Sequence, residues 1–260
     1  MEEIIKAVFL GVVQGITEFL PISSSGHLVI FQKLLGIESA RLTLEIFLHF
    51  GTLIPVIVIF WDDIYDIFTL KLDKKHLVWL LFFGTIPAAL IGIIFKDYFT
   101  GLFSSTYFTG FMLLITGTLL YIAEKAGNAY RDIKDFRFYH ALIVGLAQGL
   151  AIFPGISRSG STITASLLQG LKREQAARYS FLLSLPVIMG ASLLEMKDSL
   201  TMGISGISWP AIISGTVFAA ISGYFAIKYL LYILRNGSLI IFSYYCWTIG
   251  LIVILLAGLF

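Results

Sequence analysis

Arg158 stands in the run Pro154-Gly155-Ile156-Ser157-Arg158-Ser159-Gly160-Ser161-Thr162. A Pro-Gly break followed by small hydroxylated residues reads as the start of a half-helix, with unsatisfied N–H groups at a positive dipole end. Such an end binds anions, phosphate especially. An earlier run, Glu18-Phe19-Leu20-Pro21-Ile22-Ser23-Ser24-Ser25-Gly26-His27, offers a second end at Ser23, Ser24, Ser25 and Gly26. Two opposed helix starts and one guanidinium suit a strongly anionic group such as a diphosphate. The competing reading pairs Arg158 with Glu18 and gives the small residues to helix packing.

The two runs are related by an offset of 134, and they differ where chemistry needs them to. Glu18 stands opposite Ile152, Ser24 opposite Arg158 and His27 opposite Ser161. One tip thus carries an acid, a hydroxyl and an imidazole, and the other the cation, which favours catalysis over binding alone. Ser24 and His27, three apart at a helix start, are expected to face one cavity. Ser24 with a nearby His and Glu has the makings of an activated nucleophile. His27 has two other roles open to it, as phosphoryl acceptor or as the acid that protonates the leaving group. His49 reads equally as a cavity residue or a packing residue. His76 and His140 read as interfacial, and Glu45, Asp62, Asp63 and Asp66 as solvated at span ends. Trp61, Trp79, Trp209 and Trp247 mostly mark span ends. No Walker A, Rossmann or Cys/His metal-ligand spacing appears.

The elements that must hold these residues are membrane helices. The chain has 260 residues, 58% of them hydrophobic and 13% charged, with a mean hydropathy of +0.91. Soluble domains carry about 25% charged residues, so an ordinary soluble enzyme is excluded, as are a disordered chain and a disulfide scaffold. Cys246 is the lone cysteine. A formal net charge of +2 gives no sign of a nucleic-acid partner. Six stretches are long and apolar enough to span, at 44–61, 77–95, 106–123, 179–196, 209–227 and 239–259. Segments 4–35 and 141–171 are each too long for one span and are broken by Pro, Gly and Ser at depth. Broken backbone survives in lipid only when buried in protein or lining a wet cavity, so both are expected to be re-entrant helix–loop–helix units.

These two segments are copies. Gly11 to Gly26 aligns with Gly145 to Gly160 with identities at 8 of 16 positions, including Gln14/Gln148, Ser23/Ser157, Ser25/Ser159 and Gly26/Gly160. At an offset of 131, Pro55 matches Pro186 and Gly84 matches Gly215. The expected fold class is an all-α polytopic membrane protein with an inverted-topology repeat: one re-entrant and three transmembrane helices per half. The single membrane domain divides into repeat one at 1–127, a charged hinge at 124–140 and repeat two at 138–260. An odd number of spans per half turns the second copy over, so the tips meet near the midplane. Twelve Lys and Arg fall on one face and five on the other, with Arg158 between. The richer face is expected to be cytoplasmic, with both termini outside. Residues 1–20 lack a basic n-region and a cleavage site, so no cleaved signal peptide is expected.

At QGITEFLPISSSGH and PGISRSGSTIT the chain resembles the bacterial undecaprenyl-diphosphate phosphatases of the bacitracin-resistance type, over essentially its whole length. The resemblance implies an inner-membrane hydrolase that removes the terminal phosphate of undecaprenyl diphosphate. This recycles the lipid carrier for peptidoglycan and confers bacitracin resistance. It implies a polyprenyl diphosphate substrate, the bilayer as surroundings, and an active site near the midplane that opens to the outside. A homodimer is compatible with it. It assigns catalytic roles to Glu18, Ser24, His27 and Arg158, with Gln14, Ser23, Ser25, Gly26, Ser157, Ser159, Gly160 and Thr162 around the substrate. It also implies a divalent metal, magnesium or calcium, with Glu18 as a ligand; many members have Glu where Gln14 stands. The acid-phosphatase-like lipid phosphatases need a second His after the Arg, whereas all four His here precede Arg158. A transporter or flippase for an anionic lipid is the alternative from another class.

Overall fold

The computed structural model describes residues 1–37, 41–69, 71–95, 105–126, 130–202 and 207–257. Residues 127–129 of the expected hinge and 258–259 of the last expected span lie outside these. The described residues form helices α1 (Glu2–Phe19), α2 (Ser24–Leu35), α3 (Arg41–Ile59), α4 (Trp61–Phe68), α5 (Lys75–Ile94) and α6 (Thr106–Lys125). The second part supplies α7 (Phe138–Leu150), α8 (Arg158–Leu168), α9 (Arg173–Met202), α10 (Trp209–Asn236) and α11 (Ile240–Leu256). Among the described residues the only extended pairing is an isolated bridge between Arg131 and Leu171.

Four of the six expected spans are helices long and apolar enough to cross a membrane: Lys75–Ile94, Thr106–Lys125, Arg173–Met196 and Trp209–Asn236. The other two differ. The stretch read as 44–61 runs into α4 with a bend of 87°, because Trp61-Asp62-Asp63-Ile64 opens a new amphipathic helix after Phe60. The last is the apolar helix Ile240–Leu256, whose 17 described residues lie at the short end of spanning lengths. Large apolar side chains on the spans, such as Ile93, Phe225 and Leu255, are exposed. That pattern suits a lipid surround, since only helices or closed barrels satisfy their backbone there.

The two copied segments are broken as their sequences require. Pro21 lacks an N–H and restricts the residue before it; α1 stops at Phe19 and α2 starts at Ser24. In the second copy α7 stops at Leu150 and α8 starts at Arg158. Pairing between the halves is reciprocal. A Cβ on Gly11 of α1 would lie 2.2 Å from Gly215 O of α10, and one on Gly145 of α7 would lie 2.3 Å from Gly84 O of α5. Gly11/Gly145 and Gly84/Gly215 are the aligned pairs of the duplication, so each half lays its first helix against the other half. Small residues on packed membrane helices permit this backbone approach. Between α6 and α11 the seam is mutual: Gly110 faces Gly250 O and Gly250 faces Gly110 O. Trp247 also lies in this seam, its Nε1 donating to Leu114 O at 3.1 Å, and does not mark a span end.

Among its described residues the hinge is bonded to the second half. Tyr130 and Arg131 N–H donate to Gly170 O at 2.9 and 2.8 Å, and Lys172 N–H donates to Arg131 O at 3.0 Å. Two residues read as surface groups are inside. His140 is buried, its Nδ1 accepting from Arg137 N at 2.9 Å to close the first turn of α7. Asp63 is 3% exposed and ion-paired, not solvated.

Candidate active site

Glu18 occupies the last turn of α1 and is buried. A carboxylate there survives only if paired, and four groups surround it. Ser24 Oγ donates to Oε2 at 2.6 Å and Gln14 Nε2 donates to the same oxygen at 3.1 Å. Arg158 Nη2 donates to Oε1, and His49 Nε2 lies 3.9 Å from Oε2. The Glu18–Arg158 pairing weighed from the sequence is therefore present. It joins the two tips across 140 residues of chain.

Both tips are capped in the same way. Ser23 Oγ accepts from Gly26 N at 3.2 Å, and its copy Ser157 Oγ accepts from Gly160 N at 3.0 Å. Ser25 Oγ lies 3.3 Å from Ser23 Oγ, and Ser159 Oγ lies 3.2 Å from Ser157 Oγ. Each tip also touches the other. Gly26 faces Gly155 while Gly160 faces Pro21, and Ser159 Oγ donates to Leu20 O at 3.2 Å. A side chain at Gly26 would press on this junction, since its Cβ would lie 3.1 Å from Gly155 Cα. The first tip bears the strain. Ser23 has φ +72°, whereas Ser157 has φ −76° and Gly155 takes the left-handed turn at φ +98°. A non-glycine residue at such a φ costs about 1–3 kcal/mol and clusters at functional positions.

His27 does not join this cluster. Its Nδ1 lies 2.7 Å from Ser23 O and its Nε2 lies 2.8 Å from the Tyr245 hydroxyl of α11, with the two rings stacked. Ser24 and His27 start from neighbouring positions on the helix surface, but both ring nitrogens of His27 are taken by Ser23 O and the Tyr245 hydroxyl, and neither meets Glu18. The imidazole beside Glu18 is His49. Thr162 Oγ1 donates to Arg158 O at 2.9 Å and lies 2.6 Å from Ser180 Oγ; Arg158 Nη1 donates to Ser180 O at 3.5 Å. His49 and Ser180 are copies of each other, each six residues before Pro55 or Pro186. Ser180 and Tyr245 escaped the sequence reading. For Ser180 the signal was its alignment with His49; for Tyr245 there was none.

The site's oxygens also bear on a metal. Among the described residues no group of three His, Cys, Asp or Glu could cage an ion. Gln14 Oε1 is buried without a partner, and Glu18 is the adjacent carboxylate. Magnesium is ordinarily held by one or two carboxylates plus substrate phosphates, and this donor set fits an ion that arrives with a diphosphate.

Broken helices meeting at a buried acid–hydroxyl–guanidinium cluster define a multi-helix membrane protein with a polar centre suited to an anionic group. Residues 7–252 match the family described as bacitracin resistance protein BacA, and the chain belongs to that family. It is 61% identical to the undecaprenyl-diphosphatase of Halothermothrix orenii, covering 99% of this chain and 100% of that one. It is 47% identical to the undecaprenyl-diphosphatase of Alkaliphilus metalliredigens, covering 96% and 97%. A third relative of the same name, from Methanosphaera stadtmanae, is 45% identical over 99% of both chains.

Proposed function

We propose that the chain is an undecaprenyl-diphosphate phosphatase of the membrane, releasing the terminal phosphate and leaving undecaprenyl phosphate. The observation that carries this is Glu18, bonded at once to the Ser24 hydroxyl and the Arg158 guanidinium. Ser24 Oγ attacks the terminal phosphorus while its proton passes to Glu18, and the bridging P–O bond breaks. The lipid phosphate leaves as an anion and needs no proton. Water then attacks the phosphoserine; both its protons leave with the inorganic phosphate as the Ser24 Oγ–P bond breaks, and Glu18 returns its own to Ser24 Oγ. Arg158 and the N–H groups of the two helix starts hold the equatorial oxygens, where charge develops. A magnesium or calcium ion, when bound with the diphosphate, supplies further charge neutralisation, held by Glu18 and Gln14. Ser23, Ser25 and Gly26 shape one wall, and Ser157, Ser159, Gly160 and Thr162 the other.

The reciprocal pairing of the halves supports an inverted repeat, with repeat one at 1–127 and repeat two at 138–260. The Lys/Arg bias supports both termini outside the inner membrane, with the site open to that side. A reporter active only in the cytoplasm should be silent when fused after residue 260; activity there overturns the orientation. Release of phosphate from undecaprenyl diphosphate by purified protein in detergent tests the reaction. The architecture also favours a second reading, a carrier that moves the lipid between leaflets. Such a carrier would release no phosphate in micelles.

A further inference from the structure

A separate cavity of about 290 Å³ lies between α4, α5, α9 and the 3-10 turn Ile133–Asp135. None of its lining residues belongs to the diphosphate site. Buried Asp63 holds two cations: Lys74 Nζ at 3.0 Å from Oδ1, and Arg178 Nε at 2.5 Å from Oδ2. Exposed Lys134 adds a third cation at the rim. His76 faces the cavity while its Nε2 donates to Phe136 O at 2.7 Å, which fixes α5 to the hinge. Gln175 is committed at both ends, accepting from Ile133 N at 2.6 Å and donating to Asp132 at 2.8 Å. It thereby pins the turn in place, over a floor that includes Leu77 and Tyr179.

Three cations against one carboxylate leave the cavity with excess positive charge. A half-enclosed cleft concentrates such a field and draws in counter-charge. The duplication does not require it: at the 131 offset, Arg178 corresponds to Phe47 and Gln175 to Leu44. The lining joins Lys74 of repeat one to Arg178 of repeat two, and Arg178 has no basic copy at the equivalent position of repeat one. Arg178 turns Nε and Nη2 to Asp63, so its Nη1 and the two ammonium groups are the donors that match phosphate oxygens.

We propose that this cavity binds a phosphate oxyanion, the ligand being free phosphate or the headgroup of an anionic phospholipid. Basic pockets between membrane helices hold such headgroups. The test uses thermal unfolding of the purified chain in detergent, titrated with inorganic phosphate. An E18Q/R158Q background removes the diphosphate site's charge pair together. In a second arm, native mass spectrometry reads phosphatidylglycerol retained from nanodiscs of phosphatidylglycerol against phosphatidylcholine. A ligand that binds only the folded chain raises its midpoint. The expected result is such a rise, or selective phosphatidylglycerol retention, that Lys134→Glu abolishes and Arg178→Lys weakens. A rise without lipid retention identifies free phosphate; retention without a rise identifies the headgroup. If the background variant does not fold, equilibrium dialysis of the unaltered chain gives the same decision. Phosphate should bind at two places, falling to one in Lys134→Glu, unless the lipid arm alone is positive. Neither signal, or signals unchanged by Lys134→Glu, overturns the proposal.

Discussion

Ser24 and His27 stand three residues apart on α2 yet serve different partners: Ser24 Oγ bonds Glu18 at 2.6 Å, and His27 Nε2 lies 2.8 Å from the Tyr245 hydroxyl. The division of labour follows from this. Ser24→Ala should nearly abolish phosphate release, and Glu18→Gln should cost about 10²–10⁴-fold, the range of a general base. His27→Gln should cost less than either, and Tyr245→Phe should resemble it. Rates measured side by side decide the matter. A phosphohistidine trapped at His27, with substantial activity left in Ser24→Ala, would reverse the assignment.

Arg158 spans Glu18 and the Ser180 carbonyl with two nitrogens of its fork. Arg158→Lys keeps the charge that neutralises Glu18 but loses the planar pair of donors. The variant should fold, as judged by size-exclusion and thermal unfolding, and lose most of its turnover. Turnover close to that of the unaltered protein would mean that a point charge is enough.

Gly145 packs against backbone. An added Cβ would sit 2.3 Å from Gly84 O and 2.9 Å from Pro87 Cδ, neither of which can swing away. Gly145→Ala should therefore destabilise the fold by about 1–3 kcal/mol, the usual cost of overpacking. Gly92→Ala is the control, because its Cβ would meet Ile152 Cδ1 at an ordinary 3.5 Å. Equal unfolding midpoints for the two variants would refute the close approach of α5 and α7.

Asp132 lies in the hinge, outside the spans, and accepts from Lys172 Nζ and Gln175 Nε2, each at 2.8 Å. The Lys172 bond, ahead of Gln175's, holds its carboxyl below the usual carboxylate range. A lowered folded pKa gives a contribution that is present above the unfolded value, about 3.9, and is lost as pH falls through the folded one. Hydrogen exchange at Tyr130, Arg131 and Lys172 should accelerate below about pH 4, and Asp132→Asn should remove that step. Exchange that is flat across the window would show that the hinge is held by its backbone bonds alone.

The breaks at Pro21 and Pro154 and the duplication were legible because each is written in local residue types or in spacing; the pairing of Glu18 with Arg158 stood in the sequence only as the competing reading. The orientation of His27 was not. A three-residue separation says which face a side chain starts from, not that Tyr245, more than two hundred residues later, captures it. His49 and Ser180 come from spans that pack around Phe19 of α1, Phe181 of α9 and Phe60 at the bend between α3 and α4. The bend after Ile59 was hidden by an apolar run that continues across it. Asp63 was misread because its two cations lie eleven and 115 residues away.

The crossed pairing of α1 with α10 and of α7 with α5 bears on how the chain acquires its shape during synthesis. Until α10 emerges, the glycine face of α1 has nothing to lie against. The first half should thus wait in the bilayer as loosely associated helices, and the completed chain should close late, in one cooperative step. A chain severed in the hinge should behave as two fragments that are each unstable alone. Co-expressed, they should recover activity by embracing each other.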